Sequence, residues 1–374
     1  MRAAEDTLGE RCGAFKTDPL LWLIPLVLSG IGILMVTSTT SRVSYELYGT
    51  SFTTGMRQLK WLAVGGAAML ATYSVPVSFW RRIGGALWLL SLLFVAVTLV
   101  PGIGTAVGGA RRWIRMGGVS VQTSEVMIFA TALFIAKFSH KNELNPHSCF
   151  AMTLSILCVS SPLLLLQPDL GSTILMMMIC MGMYVERFGW KLPLTAGGIC
   201  AALLVLLIAV EPYRLRRVNA YFNPWEDPLD SGFQTIQGLI AFANGGILGS
   251  GLGHGFQKLQ YLPAASTDFI YAALGEELGL PGTLGVLTLC LMWLGRCRSL
   301  YNHVEEGFDT ALAWGISLTI ILPFCINIAG VTNMIPLTGM PLPFISYGGS
   351  SLVMMWMRVG ILLRLCRKCR EEEA

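Results

Sequence analysis

Four groups of residues in this sequence have the types and spacing to do chemistry. Thr267-Asp268-Phe269 sets a carboxylate directly before an apolar run. Such a carboxylate has two physical uses: it caps a helix N-terminus, or it takes a proton as a general base. Position alone leaves both open. Glu125 and Asp169 stand at the mouths of other apolar runs, where structural and substrate roles are equally available. Glu276 and Glu277 lie inside one, where an ionised carboxylate costs at least about 2.5–3.5 kcal/mol. Unless the helix bends there, they must face a cavity or a cation. Gly245-Gly246 and Gly249-Ser250-Gly251-Leu252-Gly253 permit tight turns and close backbone approach, serving either a plain turn or a phosphate cradle. Cys366 and Cys369 form a CxxC, but no second pair or nearby histidine completes a zinc site.

The elements that must hold these groups follow from composition. Of 374 residues, 54% are hydrophobic and 13% charged, and mean hydropathy is +0.62. A soluble chain carries about 25% charged residues, and a spanning helix needs about 20 apolar ones. A secreted enzyme, a cytosolic α/β enzyme and a nucleic-acid reader are excluded. Apolar segments fall near 19–40, 60–76, 84–101, 123–139, 148–166, 172–185, 193–211, 269–295, 309–331 and 350–366. Only Gln167-Pro168-Asp169-Leu170-Gly171 separates the fifth from the sixth, and Pro281 predicts a kink in the eighth. The expected fold is an all-α polytopic membrane protein of about ten transmembrane helices, with a large external loop between helices seven and eight.

With the N-terminus inside, fifteen Lys and Arg fall on the cytoplasmic side, among them Arg81, Arg82, Arg187, Lys191, Arg367 and Lys368. Ten fall outside: Arg42, Arg57, Lys60, Arg111, Arg112, Arg115, Arg214, Arg216, Arg217 and Lys258. The positive-inside rule favours this orientation, with both termini cytoplasmic. The organisation read from the chain is an N-terminal segment 1–18, a ten-span membrane domain 19–366 and a tail 367–374, with the external loop at 212–268. Apolar residues at Phe233, Ile236, Leu239, Ile240 and Ala243 predict a short amphipathic helix in that loop. Trp225 suits the membrane interface and Met176-Met177-Met178 core filling.

The order of several long motifs carries a resemblance. Gly109-Ala110-Arg111-Arg112-Trp113, Ser124-Glu125, Gln167-Pro168-Asp169-Leu170-Gly171, Asn223-Pro224-Trp225 and Gly232-Phe233-Gln234 are followed by Gln257-Lys258-Leu259, Thr267-Asp268-Phe269-Ile270, Glu276-Glu277-Leu278-Gly279 and Gly339-Met340-Pro341-Leu342-Pro343-Phe344-Ile345-Ser346-Tyr347-Gly348-Gly349-Ser350. Over nearly its whole length the chain resembles the SEDS family (shape, elongation, division and sporulation), with the loop motifs looking most like its FtsW type. It departs from the usual pattern at Thr123, where the family has proline, at Ile128, where it has lysine, and at Gly238, Ala264, Ser266, Ala329 and Asn333.

The resemblance implies a peptidoglycan glycosyltransferase that polymerises lipid II at the outer face of the bacterial cytoplasmic membrane. It also implies a class B penicillin-binding protein and other cell-division proteins as partners. Asp268 matches the family's essential aspartate. An α-linked donor giving a β-linked product means a single inverting displacement. The acceptor hydroxyl then needs a base, and the departing pyrophosphate needs cations or a divalent metal aimed at it. Arg57, Arg112 and Lys258 are the candidates for that charge, and Glu125, Asp169, Gln257 and Ser346 are further candidates for substrate contact. Two rival expectations are a transporter that flips lipid II, whose site belongs near the bilayer midplane, and a non-catalytic scaffold for the penicillin-binding protein.

Overall fold

The computed structural model describes residues 18–107, 110–116, 119–139, 145–210, 216, 221–230, 232–257, 261–305 and 307–373. Among these there are eleven α-helices. They are α1 (Leu20–Tyr48), α2 (Thr53–Ser74), α3 (Val77–Leu99), α4 (Thr123–Ser139), α5 (Pro146–Leu166), α6 (Leu170–Phe188), α7 (Lys191–Val210), α8 (Phe233–Gly245), α9 (Ile270–His303), α10 (Phe308–Val331) and α11 (Gly349–Glu373). Each apolar segment read from the sequence falls on one of them, and α8 occupies the long connection between α7 and α9. Six are long and apolar enough to cross a membrane: Leu20–Tyr48, Val77–Leu99, Pro146–Leu166, Ile270–His303, Phe308–Val331 and Gly349–Cys369. The outward surface is apolar as well, with Leu34, Leu70, Leu89, Leu93, Leu194 and Leu291 all exposed. Water would penalise that surface, whereas a hydrocarbon solvent does not, and helices satisfy their own backbone groups there. The chain is a polytopic membrane protein.

Helix α4 is apolar on every side, which marks a helix surrounded by others. Met127, Phe129, Ala130, Leu133, Ala136 and Phe138 are all buried, as is Ile128, and α3, α6 and α10 pack around it. Helix α11 packs closely along α2, and glycines permit the approach. A Cβ added at Gly65 would lie 3.0 Å from the Trp356 ring, and one at Gly349 would run into Trp61. Small residues at crossings give van der Waals packing where lipid supplies no hydrophobic drive. Cys149, Cys180 and Cys297 are buried as small apolar side chains. Met176 is buried and Met178 is 40% exposed, while Trp225 is 65% exposed.

Two features differ from the sequence expectation. Between α3 and α4 the chain forms a three-stranded antiparallel sheet in the order β1-β2-β3: Gly104–Val107, Ala110–Met116 and Val119–Gln122. Trp113 pairs with Gln122 and Ile114 with Val121. The strands are only four to seven residues long, so their period-two pattern is too brief to stand out beside long helical runs. In α8, the inward face is Thr235, Ile236, Gly238, Ala241 and Gly245. Of the expected apolar stripe only Ile236 is buried; Ala243 is exposed. Close approach to α9 selected small residues over large ones: a Cβ at Gly238 would meet the Phe269 ring at 2.6 Å, and one at Gly245 would collide with the Gly275 carbonyl. The kink expected in the eighth segment is present: α9 breaks at Gly279 (φ 65°, ψ −156°), two residues before Pro281.

Chain direction puts residues 49–52, 100–107, 110–116, 119–122, 167–169, 221–230, 232–257, 261–269 and 332–348 at one end of the bundle, here called the loop end. Asp18 and the end of α11 lie at the other. That terminal end is tied by Asp18 to Arg296 at 3.5 Å and by Lys368 to Asp309 at 2.7 Å.

Candidate active site

Asp268 lies at the loop end, half-buried, one residue before the N-cap position of α9, which is Phe269. Its surroundings are built by the segment between α10 and α11. The Asn327 amide, projecting from α10, donates to the Asp268 carbonyl at 2.8 Å and to the Met340 carbonyl at 2.6 Å. The Ser346 hydroxyl donates to the Thr267 carbonyl at 2.6 Å and accepts from the Leu342 N–H at 2.7 Å. The Tyr347 N–H donates to the Ser266 carbonyl at 2.8 Å, and Gln58 on α2 donates to the Ser346 carbonyl at 3.1 Å. A Cβ at Gly339 would come 3.4 Å from Asp268 Oδ2, so the carboxylate lies over this turn. Within the same turn Phe344 takes φ +63°, a strained value for a bulky side chain. Its ring is fixed among Trp293, Phe324 and Trp356, with centroids 5.9–6.5 Å away. The turn is a cradle tied to residues 266–268 by the Tyr347 N–H, the Ser346 hydroxyl and, through the Met340 carbonyl, the Asn327 amide.

A second group adjoins it. The Arg112 guanidinium on β2 donates to the Gln167 carbonyl at 3.4 Å and to the Pro168 carbonyl, and stands 3.6 Å from Asp169 Oδ1. Asp169 caps α6, accepting from the Ser172 N–H at 3.2 Å and the Ser172 hydroxyl at 2.8 Å. The Gln167 amide donates to Val95, Thr98 and Thr123 beneath the sheet. Gly171 brings this corner to the cradle: a Cβ there would lie 3.1 Å from the Thr338 carbonyl and 3.5 Å from Met340. Arg57, exposed near the start of α2, donates to the Tyr48 hydroxyl at 3.1 Å and lies 4.6 Å from the centre of that ring, with Tyr347 as its other phenolic neighbour.

Two further sequence candidates, Glu125 and Gln257, are held by other groups. Glu125 points into the bundle, paired with Arg358 at 2.8 Å and accepting from Ser351 at 2.9 Å. The Gln257 side chain is buried, and its N–H donates to both Glu276 oxygens at 3.1 and 3.3 Å. Lys258 lies outside the described residues. Glu276 also accepts from the Phe256 N–H at 2.9 Å; Glu277 accepts from the Gly253 N–H at 3.0 Å and the Ser38 hydroxyl at 2.6 Å. These two buried carboxylates therefore anchor the glycine-rich loop through its backbone amides, the helix having broken at Gly279. No group of three or more His, Cys, Asp or Glu that would hold a metal occurs among the described residues. Asn327 and Gln58 were not singled out in the sequence: an amide inside an apolar run was the available signal for Asn327, whereas Gln58, between Arg57 and Lys60, lies outside the runs.

Residues 18–371 match the model of the cell cycle protein family that takes in FtsW, RodA and SpoVE. The chain belongs to that family. It is 37% identical over 364 residues to the probable peptidoglycan glycosyltransferase FtsW of Coxiella burnetii, covering 94% of this chain and 96% of that protein. It is 38% identical over 366 residues to the stage V sporulation protein E of Bacillus subtilis, covering 95% and 99%. Among solved structures, a chain from a study of how a peptidoglycan synthase complex coordinates polymerization and crosslinking has a TM-score of 0.79 at 24% identity, covering 95% of this chain and 98% of that one. The rod shape determining protein RodA of Thermus thermophilus gives 0.71 at 22% identity, with 95% and 98% covered. Both likenesses concern the fold.

Proposed function

We propose that this protein is a peptidoglycan glycosyltransferase acting in cell division, which polymerises lipid II into glycan strands at the outer face of the bacterial cytoplasmic membrane. The observation that carries the reading is the placement of Asp268: a half-buried carboxylate at the loop end, fixed through its main chain by Asn327 and through its neighbours by Ser346 and Tyr347. Asp268 accepts the proton of the acceptor hydroxyl as that oxygen attacks the donor's anomeric carbon. The pyrophosphate leaves from the opposite face with inversion, and Arg112, Arg57 and Lys258 supply the positive charge that develops an attraction for it. Asp169 keeps Arg112 oriented. Ser346 acts as a positioning residue in this scheme, because its hydroxyl bonds the backbone next to Asp268, and Gln257 does so through its main-chain N–H, which the Glu276 carboxylate holds. A purified preparation given lipid II, with and without the cognate class B penicillin-binding protein, is expected to make glycan polymer, read as a ladder on a gel. Lipid II translocation without polymer would favour the transporter, and neither activity would favour the scaffold.

All ten long helices cross the membrane in this reading, with both termini in the cytoplasm. The relatives' FtsW character and the apolar outer surface support it, as does the charge split between the two ends. An epitope inserted after Leu229, a residue 87% exposed in the loop, is expected to react with antibody on intact spheroplasts, while a C-terminal epitope reacts only after permeabilisation. The reverse pattern would refute the orientation.

A further inference from the structure

We propose that the buried Glu125–Arg358 pair is a strut that sets the spacing between the two halves of the site, making Arg358 a positioning residue for the reaction. The catalytic part of this inference rests on the glycosyltransferase reading; the geometric part does not.

Arg358 is 1% exposed and lies in the middle of α11. Its guanidinium reaches two other helices: Glu125 Oε2 at 2.8 Å and the Glu125 carbonyl at 3.3 Å on α4, and the Thr319 carbonyl at 3.3 Å on α10. Ser351, also on α11, holds the other Glu125 oxygen at 2.9 Å. One turn of α4 is thereby clamped to α11 at two points. From that turn the connection runs outward to the Arg112 half. Thr123, two residues before Glu125, donates to the Arg112 carbonyl at 3.4 Å and accepts from Gln167 at 3.3 Å, and β3 enters α4 directly. From α11 it runs to the Asp268 half, because the helix begins at Gly349, two residues after Tyr347 of the cradle. The pair thus lies where the framework of the leaving-group cation meets the framework of the base.

Its electrostatic cost argues for more than packing. A buried ion pair seldom outperforms well-packed apolar residues of the same size, and here Arg358 Nε is buried without a hydrogen-bond partner. What two charges supply and two apolar side chains do not is a directional, fixed-length contact. Fixed geometry matters in a displacement where a misplacement of about 1 Å costs about a hundredfold in rate.

The decisive variant is the double replacement Glu125→Met/Arg358→Met, which removes both charges together and leaves neither unpaired. Its thermal midpoint is expected to stay at or above the wild-type value, while amide hydrogen exchange quickens in β2, β3 and residues 339–347 and polymer formation from lipid II falls about a hundredfold. A merely structural pair would be repaired in rate as well as in stability, so wild-type exchange in those segments would overturn the strut whatever the activity. Polymer absent from the wild-type protein would sink the glycosyltransferase reading instead, and the exchange measurement would still decide the geometry. If the double variant does not fold, Glu125→Asp keeps the charge and shortens the arm by one methylene. Faster exchange in the same segments with a lower rate then supports the strut, and wild-type values for both overturn it.

Discussion

Asp268→Asn is expected to leave a folded protein that binds lipid II and its partner but has lost polymerisation by about 10²–10⁴-fold, the range a positioned general base supplies. The substitution isolates proton acceptance. The amide matches the carboxylate in shape, and the bonds from Asn327 to the residue 268 carbonyl and from Ser346 to the Thr267 carbonyl are made to main chain, so the side-chain change leaves them in place. The competing role predicts the opposite. Asn and Asp cap helices about equally, so a capping Asp268 would tolerate the change with nearly normal synthesis, and the N-cap position is in any case Phe269. Asp230→Asn is the matched control: this loop carboxylate is 77% exposed, 4.0 Å from an equally open Arg216, where a surface pair contributes little. Normal polymer yield from well-folded Asp268→Asn would end the claim for a base.

The helices were legible because their signal is long and local. The segment read as 123–139 coincides with α4, and the five-residue separator at Gln167–Gly171 does divide α5 from α6. What the sequence concealed depends on contacts between distant residues. Glu125 and Arg358 each read as a lone charge beside or inside an apolar run, and their pairing spans 233 positions. Gln257 looked available for substrate, but a buried carboxylate nineteen residues on collects its main-chain N–H. The stripe expected on α8 weighted hydrophobicity, whereas the crossing with α9 rewards absence of a side chain. Asp268 itself was legible as a motif, while its rigidity was not: that comes from Asn327, Gln58 and the cradle turn, each supplied by a different helix or loop.

Gly279→Ala is expected to destabilise the protein by several kcal/mol and to abolish synthesis even though position 279 is remote in sequence from Asp268. Two independent costs add. At φ 65° and ψ −156° the backbone occupies a region nearly reserved for glycine, which costs a side-chain-bearing residue about 1–3 kcal/mol. The added methyl would also stand 2.6 Å from the Ile247 carbonyl and closer still to the Gly249 N–H, overpacking worth about another 1–3 kcal/mol. The break cannot simply close into a continuous helix. Pro281 offers no N–H to extend the ladder, and the Leu280 N–H is already given to the Gly246 and Ile247 carbonyls at 3.2 Å. Straightening would also turn Glu276 and Glu277 away from the amides of Gly253, Phe256 and Gln257 and strip those hydrogen bonds from two buried carboxylates. The glycine-rich loop would then lose its anchor, and the first turns of α9, which begin just after Asp268, would lose their stop. Thermal unfolding and the polymer assay together check this: Gly285→Ala, on the same helix with open space around the added methyl, should be neutral in both, and a Gly279→Ala protein as stable and active as that control would show that the break is incidental.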